Sequence, residues 1–185
     1  MSTYQNFLDF FEMHNKERLD GLNEIYFSEM TEDERKKAFN YLLKMVQEGA
    51  TAEIVRGLFI ADPKHASIVI KELLENKKLH GEAELTAAFN LYRIDSDPSL
   101  IPIFIKAMSN AQKRLRADAA YYAPTDIFCP ELIAALEGMI RTETYKLASI
   151  NAVNKLLKFY GITRELVEKE EFSRLYKKLR SENPI

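Results

Sequence analysis

Three histidines, one cysteine and scattered carboxylates are the side chains through which this 185-residue chain could do acid–base, nucleophilic or metal chemistry. His14, His65 and His80 form no metal-ligand spacing with one another or with Cys129. His65 falls in the first turn of a predicted helix, and each histidine reads as a packing or surface residue rather than a base. Cys129 precedes Pro130 at the place where two related segments carry Asp62 and Asp97. A cysteine nucleophile needs a base and an orienting group, and the sequence supplies neither beside it. Paired carboxylates such as Glu170-Glu171, or Asp95 with Asp97, occur on any charged helical surface, and Asp97 reads better as a helix cap. The glycines are isolated, so no phosphate-cradling loop is written in the chain. These residue types predict a protein that is not an enzyme and that needs no cofactor and no metal.

The elements that must position these residues follow a helical period throughout. Phe7, Phe10, Phe11 and His14 predict an amphipathic helix near 3–16. Leu22, Ile25 and Tyr26 suggest a second short one within 17–30. Thr31 with Glu34 makes a capping box for a helix whose face is Ala38, Tyr41, Leu42 and Met45, ended by Gly49. Thr51 caps the next helix, with Ile54, Val55, Leu58 and Phe59 inward. Asp62-Pro63 then starts a partner helix burying Ile68, Ile70 and Leu73 or their near neighbours. A second hairpin runs over Glu82–Arg93 and Pro98–Asn110, with Gly81 at the preceding corner. Pro102, one turn into its second helix, predicts an irregular start. A third hairpin spans Ala111–Ala123 and Pro130–Arg141. Its long connector, Pro124 to Cys129, is a place to look for function. Thr142 caps a helix to Tyr160, with Ala148, Ala152, Leu156 and Phe159 as its face and Gly161 as its end. Thr163 begins a last helix through Arg180 using Leu166, Phe172, Leu175 and Tyr176.

One phrase recurs. The stretch from Asp62-Pro63 to Ile70-Lys71 reappears 35 residues later from Asp97-Pro98 to Ile105-Lys106, with a weaker third copy at Pro130. A period of this size signals stacked helical hairpins. The expected fold is therefore all-α, an α-α superhelix of stacked antiparallel hairpins with about ten helices, in one domain over 1–185. Residues 1–50 would be capping helices, 51–161 the repeats and 162–185 a C-terminal cap.

Composition narrows the function classes. Apolar residues make up 46% and charged residues 29%, which excludes wholesale disorder. No run of about 18 apolar residues is present, so no membrane span is predicted. The first 16 residues do not have the pattern of a secretory signal, and one cysteine excludes an internal disulfide framework, so a cytoplasmic protein is expected. The residues do not fix the oligomeric state, with a monomer favoured. The net charge of −2 offers no general attraction to nucleic acid. Lys113, Arg114 and Arg116 form the densest basic cluster before the last helix, but interleaved acids disfavour phosphate binding. Residues 1–50 hold ten acids against six bases, and residues 111–185 hold ten against thirteen. That gradient arises from function or equally from chance and helix-end preferences.

The Asp-Pro turns, the Arg116-Ala117-Asp118-Ala119-Ala120 segment and the stretch from Leu147 to Gly161 resemble HEAT repeats over residues 51–161. The periods are shorter than the usual HEAT length and the third turn is imperfect. Tetratricopeptide repeats have a closer period, but their Trp and Leu-Gly pattern is missing. The resemblance implies a fold and no catalytic residues. Small stand-alone HEAT-like proteins include bacterial toxin-immunity proteins, which are similar to this chain in size. That resemblance implies a non-catalytic module blocking a cognate toxin, most concretely a nuclease. Glu53, Asp62, Glu72 and Glu75, with Asp95 and Asp97 at the next corner, are the candidate acids for meeting a basic cleft. Tyr121 and Tyr122, next to Pro124 and Asp126, are the most interface-like spot. A HEAT-like nucleic-acid or DNA-repair enzyme, or a scaffold for another partner, are the alternatives.

Overall fold

Caps written into the sequence set where most helices begin. Ser2 accepts from the Gln5 N–H and opens α1, Thr3–Glu12. Thr31 and Glu34 form a reciprocal capping box at the start of α2, Glu32–Gly49. Thr51 caps α3, Ala52–Ala61, and Asp62 caps α4, Pro63–Glu75, by accepting from the N–H groups of Lys64 and His65. The remaining helices are α5, Gly81–Asp95; α6, Ile101–Met108; α7, Lys113–Tyr122; α8, Pro130–Thr142; α9, Lys146–Phe159; and α10, Lys169–Ser181. This computed structural model describes residues 2–14 and 21–181. Among them are ten α-helices and no strand, so the all-α expectation holds. No helix among them is long and apolar enough to cross a membrane.

The chain divides into two compact units, Met1–Ile94 and Asp95–Ile185. In the first, α1 packs on α2, α2 on α3 and α3 on α4. Its core is aromatic at one end: Phe7, Phe10 and Phe27 are fully buried, and the Phe7 ring lies 5.4 Å from Phe27 and 5.8 Å from Tyr41. Gly57 is buried on α3, where an added Cβ would stand 2.6 Å from a Leu22 methyl and 3.0 Å from one of Leu42. The missing side chain is what lets the 21–30 segment and α2 close on α3. Arg35 holds that segment by donating to the Phe27 carbonyl at 2.8 Å.

In the second unit α6 packs on α7 and α8, α9 packs on α7 and α8, and α10 rests on α9 and α8. The Asn151 amide donates to the Ala117 carbonyl at 2.9 Å, and one turn further along both helices Lys155 lies over the Tyr121 ring. Both contacts advance in the same sense, so α7 and α9 run parallel. Buried Ala117, Ala119 and Ala120 on α7 and Ala148 and Ala152 on α9 keep the side chains small, which allows such close approach.

Several expected elements are corrected. The predicted 3–16 helix ends early, at Glu12: Met13 is extended, and His14 lies beyond the helix and is exposed. Residues 15–20, with the start of the predicted 17–30 helix, lie outside the described part. Of the latter, the described part shows one 3₁₀ turn, Glu24–Tyr26, with Ile25 exposed. Ile68 is not buried; it is 68% exposed, while Ala66 and Ile70 take the core positions of α4. Thr142 does not cap α9. Its hydroxyl is bonded back to the Gly138 carbonyl within α8, and α9 begins only at Lys146. Thr163 starts a single turn that does not propagate, Leu166 is exposed, and α10 begins at Lys169. The predicted irregularity at Pro102 is present: Asp97 caps a 3₁₀ turn over Pro98–Leu100 before α6. Gly161 (φ +72°) ends α9, where the Ile162 N–H reaches back to the Leu157 carbonyl at 2.9 Å.

Candidate functional site

The acids singled out from the sequence have different roles. Glu53 is half-buried and its carboxylate accepts from the Leu22 N–H at 3.1 Å, so it serves the packing of its own unit. Asp62 is occupied as the cap of α4 and also meets His65 Nδ1 at 2.6 Å. Burial opposes ionisation of Asp62, but the hydrogen bonds from His65 and Lys64 outweigh it and hold the carboxyl below its usual range. Asp97 is likewise a cap, accepting from the Ser99 N–H at 2.9 Å. Asp95 is exposed at the end of α5. Glu72 and Glu75 are exposed on α4, where Lys64 and Lys71 share the surface around exposed Ile68. This face has mixed charge with an apolar centre.

The basic cluster is also redistributed. Arg116 is turned onto Glu143, with Nε 2.5 Å from one carboxylate oxygen and Nη2 2.9 Å from the other. Its Nη1 donates to the carbonyls of Asn110 and Ala111 at 2.8 and 3.0 Å. Glu143 is 5% exposed and also accepts from the Tyr145 N–H at 2.7 Å. Arg116 is the main reason its carboxyl lies below the ordinary range, and burial opposes the shift. Lys113 places its ammonium 5.2 Å from the centre of the Tyr145 ring. Two of the three clustered cations are thus engaged by the 143–145 turn. A groove of about 470 Å³ borders the pair, lined by Ile105, Met108, Ala135 and Met139 among others. Four of the five guanidinium donors face acceptors already, so the pair reads as a brace between α7 and the α8–α9 turn.

The α7–α8 connector presents more to solvent. Tyr121 is 62% exposed at the end of α7, its ring 5.3 Å from that of half-buried Tyr122 in an edge-on arrangement. Lys155 Nζ lies 6.0 Å from the centre of the Tyr121 ring. Burial, and secondarily the charge of Lys158, push the Lys155 ammonium down to about 8. Buried Ala123 and Pro124 anchor the connector, Asp126 is exposed, and Phe128 is 79% exposed. Phe128 was not picked out from the sequence; an aromatic residue placed immediately before Cys129-Pro130 was the available signal. Cys129 donates to Glu131 at 3.2 Å. His14 and His80 are exposed, and among the described residues no group of three or more His, Cys, Asp or Glu side chains is gathered to hold a metal.

Comparison of the chain with protein-family models, with curated proteins and with solved structures returned no match.

Proposed function

We propose that this chain is a non-catalytic protein-binding module built from HEAT-like hairpins, most concretely an immunity protein that seats on a cognate bacterial toxin and covers its working surface. The observation that carries the reading is the pair of exposed aromatics, Tyr121 and Phe128, flanking a connector whose start is anchored by buried residues. Aromatic side chains held at a fixed edge are the usual anchors of protein interfaces, because they bury large area while losing little rotamer freedom. The parallel pairing of α7 with α9, through contacts 34 residues apart, supports the repeat reading. The acids contribute less than their number suggests, since Glu53, Asp62 and Asp97 already hold N–H groups of the chain itself. Glu72 and Glu75 remain for steering a partner.

Capture from the native cell lysate tests this, using the wild type and the Tyr121→Ala/Phe128→Ala double variant. A single stoichiometric protein should be retained by the wild type, silenced by it if it is a toxin, and bound roughly 100-fold or more weakly by the double variant. Equal binding by both would refute this edge. Retention of no protein would refute the module itself.

A further inference from the structure

We propose that a groove formed by α10 and the turn before it binds a small phosphate-bearing ligand with a planar ring, of the size of a nucleoside diphosphate. The groove has a volume of about 560 Å³ and is lined by Arg164, Lys169, Phe172, Ser173, Tyr176 and Lys177. That volume lies in the range of small-molecule sites. Three of the lining residues are cations, two carry a hydroxyl and two are aromatic, and none among the described residues is a carboxylate.

The helical repeat explains the arrangement. Residues 169, 173 and 177 are spaced four apart, so Lys169, Ser173 and Lys177 fall along one stripe, and Arg180 continues it. The neighbouring acids, Glu165, Glu168, Glu170 and Glu171, are not among the residues that line the groove. Glu171 lies on the opposite side of the helix and is paired with Arg174 at 2.7 Å. Glu170, about 100° from Lys169 and about 20° from Lys177 in helical projection, is not among the residues that line the groove. Glu165, beside Arg164, is hydrogen-bonded to the Thr163 hydroxyl. The floor is buried Phe172, with the Arg164 guanidinium 5.3 Å above its ring and the Tyr176 ring stacked at 6.3 Å.

Cations gathered in a concave site, with no carboxylate in its lining among the described residues, concentrate a positive potential. A phosphate supplies several acceptor oxygens at once, which matches a guanidinium fork, two ammonium groups and a hydroxyl better than a single carboxylate does. Arg164 has its guanidinium over the Phe172 ring and contributes charged N–H donors to the lining of the groove. Half-buried Tyr176 offers a ring face for a planar group.

The test is a magnetic-resonance titration of the full chain with adenosine diphosphate, pyrophosphate, adenosine and a short single-stranded oligonucleotide. Adenosine diphosphate should shift amide signals between residues 163 and 178, pyrophosphate should compete, and adenosine should have little effect. Affinity should fall between about 50 and about 200 mM salt. Lys169→Gln and Lys177→Gln, both at exposed positions, should each weaken binding roughly tenfold. Lys36→Gln, an exposed lysine on α2, should change nothing. Pyrophosphate binding that is indifferent to Lys169 and Lys177 would overturn the proposal. So would an oligonucleotide that binds far more tightly than the diphosphate, with shifts extending well beyond the groove.

Discussion

Replacing Glu143 by alanine should destabilise the protein by about 3 kcal/mol. The change removes two charge-assisted bonds from Arg116 and one from the Tyr145 N–H. It also leaves a guanidinium with 20% side-chain exposure and no counter-charge. Breaking a buried pair in this way costs about 3–5 kcal/mol. The lower end applies because Arg116 keeps its bonds to the Asn110 and Ala111 carbonyls and some contact with water. For a chain of this size unfolding in one step, that is a fall in Tm of about 6–12 °C. Glu143→Gln, which keeps the shape and an acceptor for Tyr145, should cost about half as much. The pH dependence has a definite sign. Because the folded carboxyl has a lowered pKa, the unfolded chain binds the proton more tightly, and acid weakens the fold. This contribution is fully present above the unfolded glutamate pKa of about 4.3 and is lost as the pH falls through the lower folded value. Urea unfolding of the wild type, both Glu143 variants, Arg116→Ala and the Arg116→Ala/Glu143→Ala double variant, followed from pH 7 to pH 3, measures all of it. A loss below about 0.5 kcal/mol in Glu143→Ala, with no coupling to Arg116 in the double-mutant cycle, would show that the brace carries no weight.

Two further changes test the reasoning at opposite signs. Thr31→Ala removes one half of the capping box and should cost about 1 kcal/mol, read as a shift of the urea midpoint at unchanged slope; no shift would mean Glu34 alone holds the helix start. Ser149→Ala should be neutral or stabilising by up to about 1 kcal/mol, because the Ser149 hydroxyl is buried with no hydrogen-bond partner among the described residues. A marked loss of stability in that variant would reveal a partner for the hydroxyl.

The legible parts of this protein are those decided within a few residues. Thr31 with Glu34, Thr51 and Asp62 cap their helices because a side-chain oxygen and an N–H two or three positions away meet in almost any context. Tyr121 could be picked out as interface-like from its place beside the connector, and it is exposed. The same local reasoning failed at Thr142, because its hydroxyl had a competing acceptor in the preceding turn of α8, the Gly138 carbonyl.

By itself the sequence determined the all-α class, most helix boundaries and the caps at Thr31, Thr51, Asp62 and Asp97, since helical period and capping are short-range properties of the chain. Tertiary structure decided which apolar and charged groups were available to a partner. Ile68 sits within an apolar run and is exposed, because Ala66 and Ile70 take the buried positions of α4. Glu53 binds the Leu22 N–H from 31 residues away, and Arg116 binds Glu143 from 27. Nothing in the local pattern distinguishes those charges from free ones. Whether a charged group faces solvent or a buried partner depends on which distant segment packs against it, and only the folded chain brings those segments together.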